Sequence, residues 1–117
     1  MASLTSAVRV RYETLRSILY SSISSSYTAI GTPFANPVRI LKVTNLTDKP
    51  ILVSLNGIDD HDIVPANGFF LYDYASNKSD AAGLLEQPQD DRIYVKAASA
   101  LPTTGNLYVT VVYASQV

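Results

Sequence analysis

Cysteine and tryptophan are absent from the 117 residues, and histidine and methionine occur once each. Without cysteine there is no disulfide, no thiolate nucleophile and no sulfur-ligated zinc. The lone histidine, His61, leaves no second imidazole for a metal site and a single candidate base for a serine nucleophile. Charge is scarce too: nine basic residues against ten acidic ones, dispersed along the chain, for a net −1. No basic field exists to hold a phosphate backbone, so no nucleic-acid partner is expected. Long apolar runs are missing as well. The opening MASLTSAVRVRYETLRSILY is broken by Arg9, Arg11, Glu13 and Arg16, which fits neither a signal peptide nor a membrane span. The glycines never reach the spacing of a phosphate-cradling loop.

What the chain does have is apolar residues, at 47% of the total, and a dominant period of two. Ile93, Val95 and Ala97 alternate with Arg92, Tyr94 and Lys96, the pattern of a strand with one wet face. In LYVTVVYA, Leu107, Val109, Val111 and Tyr113 line one face and Tyr108, Thr110 and Val112 the other. Further strands read at residues 8–12, 39–45, 51–55, 62–64 and 68–74. Between them stand the turn formers of LTDKP (46–50), NG (56–57), PANG (65–68) and LPTTGN (101–106). Short strands at this spacing, with no amphipathic crossovers, predict an all-β fold: one antiparallel β-sandwich or jelly roll with an extended N-terminal arm. Residues 27–117 form the sandwich. Residues 1–26 are either a basic, serine-rich arm that lies along a neighbour or the first strands of the same sandwich. Residues 13–27 read as extended structure, because the serines of 21–26 compete with helix formation. Residues 76–91 read as a long loop with a helical turn near 81–85.

The densest chemistry lies in NGIDDHDIVPANGFF (56–70), where Asp59, Asp60, His61 and Asp62 are consecutive. Strand geometry sends neighbours to opposite faces, so four adjacent residues do not converge on one ion without distant partners. Calcium coordinated by the three aspartates, or a carboxylate pair for glycoside hydrolysis, would need ligand spacing or a cleft with aromatic platforms that the sequence does not supply. A turn whose aspartates bond local backbone N–H groups is the leading reading. No enzymatic activity and no cofactor are expected. Eight tyrosines, mostly in predicted strands, fit either simple β-propensity or permanent protein–protein contacts. NLT (45–47) and NKS (77–79) match the N-glycosylation pattern and read as coincidence.

Residues 20–73 carry a longer pattern: a serine-rich lead, then Tyr27, Ala29, Ile30, Gly31, Pro33, Pro37, Arg39, Asn45, Thr47 and Asp48. Gly57, Asp60, His61, Pro65, Asn67, Gly68 and Asp73 follow. This pattern, with the closing GNLYVTVVYA, resembles a group of small virion proteins of tailed bacteriophages. The resemblance implies a non-enzymatic, homo-oligomeric component of the virion, assembled in the host bacterial cytoplasm. Its partners would be the major capsid protein or other virion proteins. A capsid decoration (cement) protein is the first expectation; a head–tail connector, tail-hub or fibre-attachment ring is the alternative. A small carbohydrate- or calcium-binding module is the reading from another class. The expected contact residues are Arg9, Arg11, Arg16, Tyr20 and Tyr27 in the arm, with Leu84 and Leu85 in the long loop. In this reading a neighbouring carboxylate holds the His61 ring.

Overall fold

Alternating sequence makes strands, and the computed structural model, which describes residues 8–74 and 87–116, contains nine of them among those residues. They are β1 (Val8–Tyr12), β2 (Arg16–Leu19), β3 (Thr28–Ala29), β4 (Ile40–Asn45), β5 (Ile51–Ser54), β6 (Asp62–Val64), β7 (Gly68–Asp73), β8 (Tyr94–Ala97) and β9 (Asn106–Gln116). A short 3-10 turn spans Tyr20–Ser22. One sheet runs β1-β9-β4-β7, with β2 also on β9; the other runs β3-β8-β5-β6. Every pairing is antiparallel. The pairings nest: β5 with β6, β4 with β7, β3 with β8, and the N-terminal strands with β9. The chain is therefore a long antiparallel ribbon folded over on itself.

The inner faces of the two sheets meet in one core. Leu107, Val109 and Val111 of β9 and Leu41 and Val43 of β4 pack with Ile51 and Val53 of β5, Val64 of β6 and Val95 of β8. Ile30, Phe34, Val38 and Ile93, from the connecting segments, belong to the same cluster. Each such side chain, once fully buried, contributes about 1.5–3 kcal/mol. Ile18 and Ile23 belong to it too, so the predicted boundary after residue 26 is not a boundary in the packing.

Residues 8–19, left between arm and first strand by the sequence, pair with β9 along its length. Tyr12 faces Val112 and Arg16 faces Val109, so four residues of the edge strand span three of its partner. The extra residue is a β-bulge, which reverses the faces on either side of it. Below the bulge Arg16 and Ile18 point into the core. Above it Arg9 and Arg11 share the side of Ser115 and Tyr113, while Val10 and Tyr12 take the outer side.

An ion pair fixes the bulge. Glu13 and Arg16 meet at 2.7 Å with both side chains 7% exposed. Arg16 also donates from Nε to the Thr32 carbonyl (2.9 Å) and from Nη2 to that of Pro33 (3.1 Å), and its guanidinium lies 5.4 Å from the Phe34 ring centre. Glu13 accepts from the N–H groups of Ala35 and Asn36 and from Asn36 Nδ2. The pair is tolerable because Glu13 is fully engaged and Arg16 bonds through Nε and Nη2, although its buried Nη1 has no hydrogen-bond partner among the described residues. The edge strand is thus tied to the 31–36 loop.

Candidate functional site

The acidic run sits on a turn that satisfies itself. Ser54 ends β5 with its hydroxyl accepting from Asn56 N–H and Gly57 N–H, while Asn56 Oδ1 accepts from Ile58 N–H and Asp59 N–H. Asn56 Nδ2 donates to Asp59 Oδ2 at 2.9 Å. His61 Nδ1 accepts the Leu55 N–H at 2.9 Å, and the His61 N–H reaches the Val53 carbonyl. The expected carboxylate partner for this ring is therefore replaced by the backbone. Because Nδ1 is an acceptor here, the ring is the tautomer with its proton on Nε2.

The three carboxylates diverge. Asp59 serves the turn. Asp60 accepts from Tyr27 OH (2.5 Å) and lies 3.5 Å from Lys96 Nζ, which itself sits 4.7 Å from the Tyr27 ring centre. Asp62 accepts from Ile63 N–H and from the Tyr72 hydroxyl. Tyr72 belongs to β7 and Asp62 to β6, so this bond latches one sheet to the other at their open edge. Among the described residues no three His, Asp or Glu side chains gather on one point. Chemically the run can bind backbone and tyrosine hydroxyls, and it is a scaffold.

A second polar centre holds the opposite end. Asn45 is fully buried, and its Nδ2 donates to the carbonyls of Lys49, Val64 and Pro65. Its Oδ1 accepts from the N–H and hydroxyl of Thr47. The glycosylation pattern at 45–47 is thus a packed amide with no access for a sugar, whereas that at 77–79 lies outside the described residues. Asp48 continues the motif by accepting from Thr103 and Thr104 of the β8–β9 turn.

These partners shift the titrations. The Thr103 hydroxyl, then the Thr103 N–H, hold Asp48 well below its ordinary 3.8. Burial pushes Glu13 upward from 4.5, but Arg16, Asn36 and Ala35 together outweigh it and the net shift is down. Asp60 is lowered chiefly by Tyr27. Tyr27 and Tyr72 move up, through burial and then through the hydroxyl bonds to Asp60 and Asp62. Lowered carboxylates contribute stability above their unfolded values that is lost as pH falls through the folded ones. Raised tyrosines contribute stability below their unfolded value that is lost as pH rises. Denaturant midpoints are therefore expected to be level between about pH 5 and 9.5 and to fall on both sides. Asp48→Asn is expected to flatten the acid limb, as measured by urea titrations at pH 2.5–5.

The expected contact residues fall into distinct environments. Arg9 and Arg11 are exposed on β1. Arg16 leaves the contact set, since it is 8% exposed and hydrogen-bonded to Glu13, Thr32 and Pro33. Tyr20, in the 3-10 turn, and Tyr27 are half-buried. Leu84 and Leu85 lie outside the described residues. Sequence reasoning missed the exposed apolar side chains: Val10 at 67%, Tyr12 at 70%, Phe69 at 61% and Leu71 at 50%. By register all four lie on the outer face of the first sheet, Phe69 and Leu71 at its β7 edge and Val10 and Tyr12 at its β1 edge, with Ile40, Lys42, Thr44, Tyr108, Thr110 and Val112 on the two strands between. The signal was present in GFFLYD, where apolar residues occupy the positions an alternating strand gives to water as well as those it buries. No family model matches the chain, and no curated protein or solved structure matches it.

Proposed function

We propose that the protein is a non-enzymatic structural component of a tailed-phage particle, and specifically a capsid decoration protein that binds the major capsid lattice. The observation that carries this reading is the outer face of the first sheet, where large side chains stand exposed at both edges, Phe69 and Leu71 on β7 and Val10 and Tyr12 on β1. Exposed apolar and aromatic side chains at sheet edges fit a surface covered by a protein partner. The sequence pattern of residues 20–73 points to the class of particle. The acidic run, by contrast, is committed to internal hydrogen bonds.

In this proposal the fold is a jelly-roll sandwich. Counting β1 and β2 as one strand interrupted by a bulge, first pairs with last, second with seventh, third with sixth and fourth with fifth. That nesting is the double Greek key of a jelly roll, an architecture common in capsid proteins, and the argument at this level is one of fold analogy. The arm is the overhanging β1: β4 ends its pairing at Val112, and among the described strands residues 113–116 of β9 pair with β1.

Copy number tests the reading. The chain is quantified by mass spectrometry against the major capsid protein in purified particles of the phage that encodes it. Hundreds of copies are expected for a shell decoration. About a dozen would instead place it in a ring at the tail vertex, the symmetry of a connector or hub. Absence from purified particles would overturn the proposal.

A further inference from the structure

The overhang has a direction that can be read from two backbone bonds. Glu13 N–H reaches the Val111 carbonyl at 3.0 Å, and Arg39 N–H reaches the Val112 carbonyl at 2.8 Å. Backbone polar groups alternate sides along a strand, so odd residues of β9 address β1 and even ones address β4. Arg9 and Arg11, opposite Ser115 and Tyr113, then turn their N–H and C=O groups toward β9. Val10 and Tyr12 turn theirs away, to the outer edge. β1 is the last strand on that side among the described residues. Its outward edge therefore offers donors and acceptors flanked by side chains exposed on both faces.

Such an edge is a template for another strand, and the side chains decide which. One face of β1 carries Arg9 and Arg11; the other carries Val10 and Tyr12. The nearest carboxylate along the strand, Glu13, is taken up by Arg16 and the 35–36 backbone. A second copy of β1 is a poor fit. Antiparallel pairing centred on Val10 sets Arg9 against Arg11, pairing centred on either arginine sets it against itself, and parallel pairing in register does the same. Like charges directly opposite each other oppose pairing.

The geometry points to strand addition at β1: its outer edge receives an extended segment of a partner chain with acidic residues at alternate positions facing Arg9 and Arg11, and apolar residues between them facing Val10 and Tyr12. At the root of this edge lies an open polar hollow of about 340 Å³, lined by Tyr12, Glu13, Arg16, Asn36 and Tyr113 among others, with room for a side chain from the added strand. The inference concerns the isolated chain and holds whether or not the particle assignment does.

The test uses the full chain, isotopically labelled, and two capped octapeptides, one alternating glutamate with valine and one alternating lysine with valine. Titration with the glutamate peptide is expected to shift the amide signals of Val10 and Tyr12 saturably and slow their hydrogen exchange, while the lysine peptide binds at least tenfold more weakly. The double variant Arg9→Glu, Arg11→Glu is expected to reverse that preference. Val10→Pro removes an outward N–H without touching the β9 ladder, a place where an edge strand tolerates proline. It is expected to abolish binding while the amide signals of β4 and β7 stay in place. Equal affinity for the two peptides, shifts confined to other strands, retention of binding in Val10→Pro, or no binding of the glutamate peptide at millimolar concentration would each overturn the proposal.

Discussion

Gly105→Ala is expected to destabilise the fold by about 4 kcal/mol or more, the scale of a severe single substitution. Gly105 has a φ of +90°, a region that side-chain-bearing residues rarely adopt. Space is the larger difficulty. A Cβ at this position would lie 2.0 Å from the Leu46 carbonyl oxygen and 2.8 Å from its carbon, both backbone atoms that cannot rotate away. The two corners that meet here are laced together. Leu46 N–H donates to the Asn106 carbonyl, Asp48 takes the N–H groups of Thr103 and Thr104, and Tyr20 N–H donates to the Gly105 carbonyl. Parting them strains the β4–β5 corner, where Asn45 and Thr47 are buried. Gly57→Ala is the matched comparison: its φ is +77°, but the nearest atoms to its Cβ would be those of the Tyr94 ring, at 3.3 Å. Its cost is expected to be about 1–2 kcal/mol, chiefly the backbone strain. Urea denaturation of the two variants checks this, and equal midpoints would mean that the backbone approach at Gly105 relaxes freely.

The contrast between these two glycines also shows what the sequence made legible. Both stand in turns that were read correctly from NG and TTGN, because turn residues act locally. The strands at 39–45, 51–55, 62–64 and 68–74 were legible for the same reason: period two is a property of consecutive residues. What was not legible depends on residues far apart. Nothing near Gly105 says that Leu46 lies against it. Arg16 read as an exposed basic residue because its partners, Thr32 and Pro33, are 16 and 17 positions away and Glu13 reaches it only across the bulge. The bulge itself is a register difference between two strands, with no signature in either one. The turn at NG was legible, but of the three aspartates expected to bond local backbone N–H groups only Asp62 does so, through Ile63; Asp59 accepts from Asn56 Nδ2, and the tyrosines that hold Asp60 and Asp62, Tyr27 and Tyr72, come from other strands or their approaches. The exposed face containing Phe69 and Leu71 was hidden by the usual equation of apolar residues with core.

Deleting residues 1–26 is expected to abolish cooperative folding, whereas deleting only residues 1–12 is expected to preserve it. The longer cut removes Ile18 and Ile23 from the core, roughly 3–6 kcal/mol of burial for the two side chains. It also removes the backbone pairing of β2 along Leu107 and Val109, two of the most deeply buried residues of β9. Glu13 and Arg16 go with it, leaving the 31–36 loop without the pair that fixes its N–H and carbonyl groups. Against a total stability of about 5–15 kcal/mol, this loss leaves little. The shorter cut ends before Glu13 and spares every one of these contacts; of the described residues it removes β1 alone. Its thermal transition is expected to remain sharp, with a Tm lowered by several degrees and with particle association lost if the overhang is the arm of the proposed capsid contact. Circular dichroism melts and sedimentation with purified shells separate the outcomes. A sharp transition after the longer cut would make residues 13–26 dispensable and return the whole segment to the status of an arm. A folded shorter variant that still binds shells would move the contact from β1 to the apolar face around Phe69 and Leu71, which the deletion leaves intact.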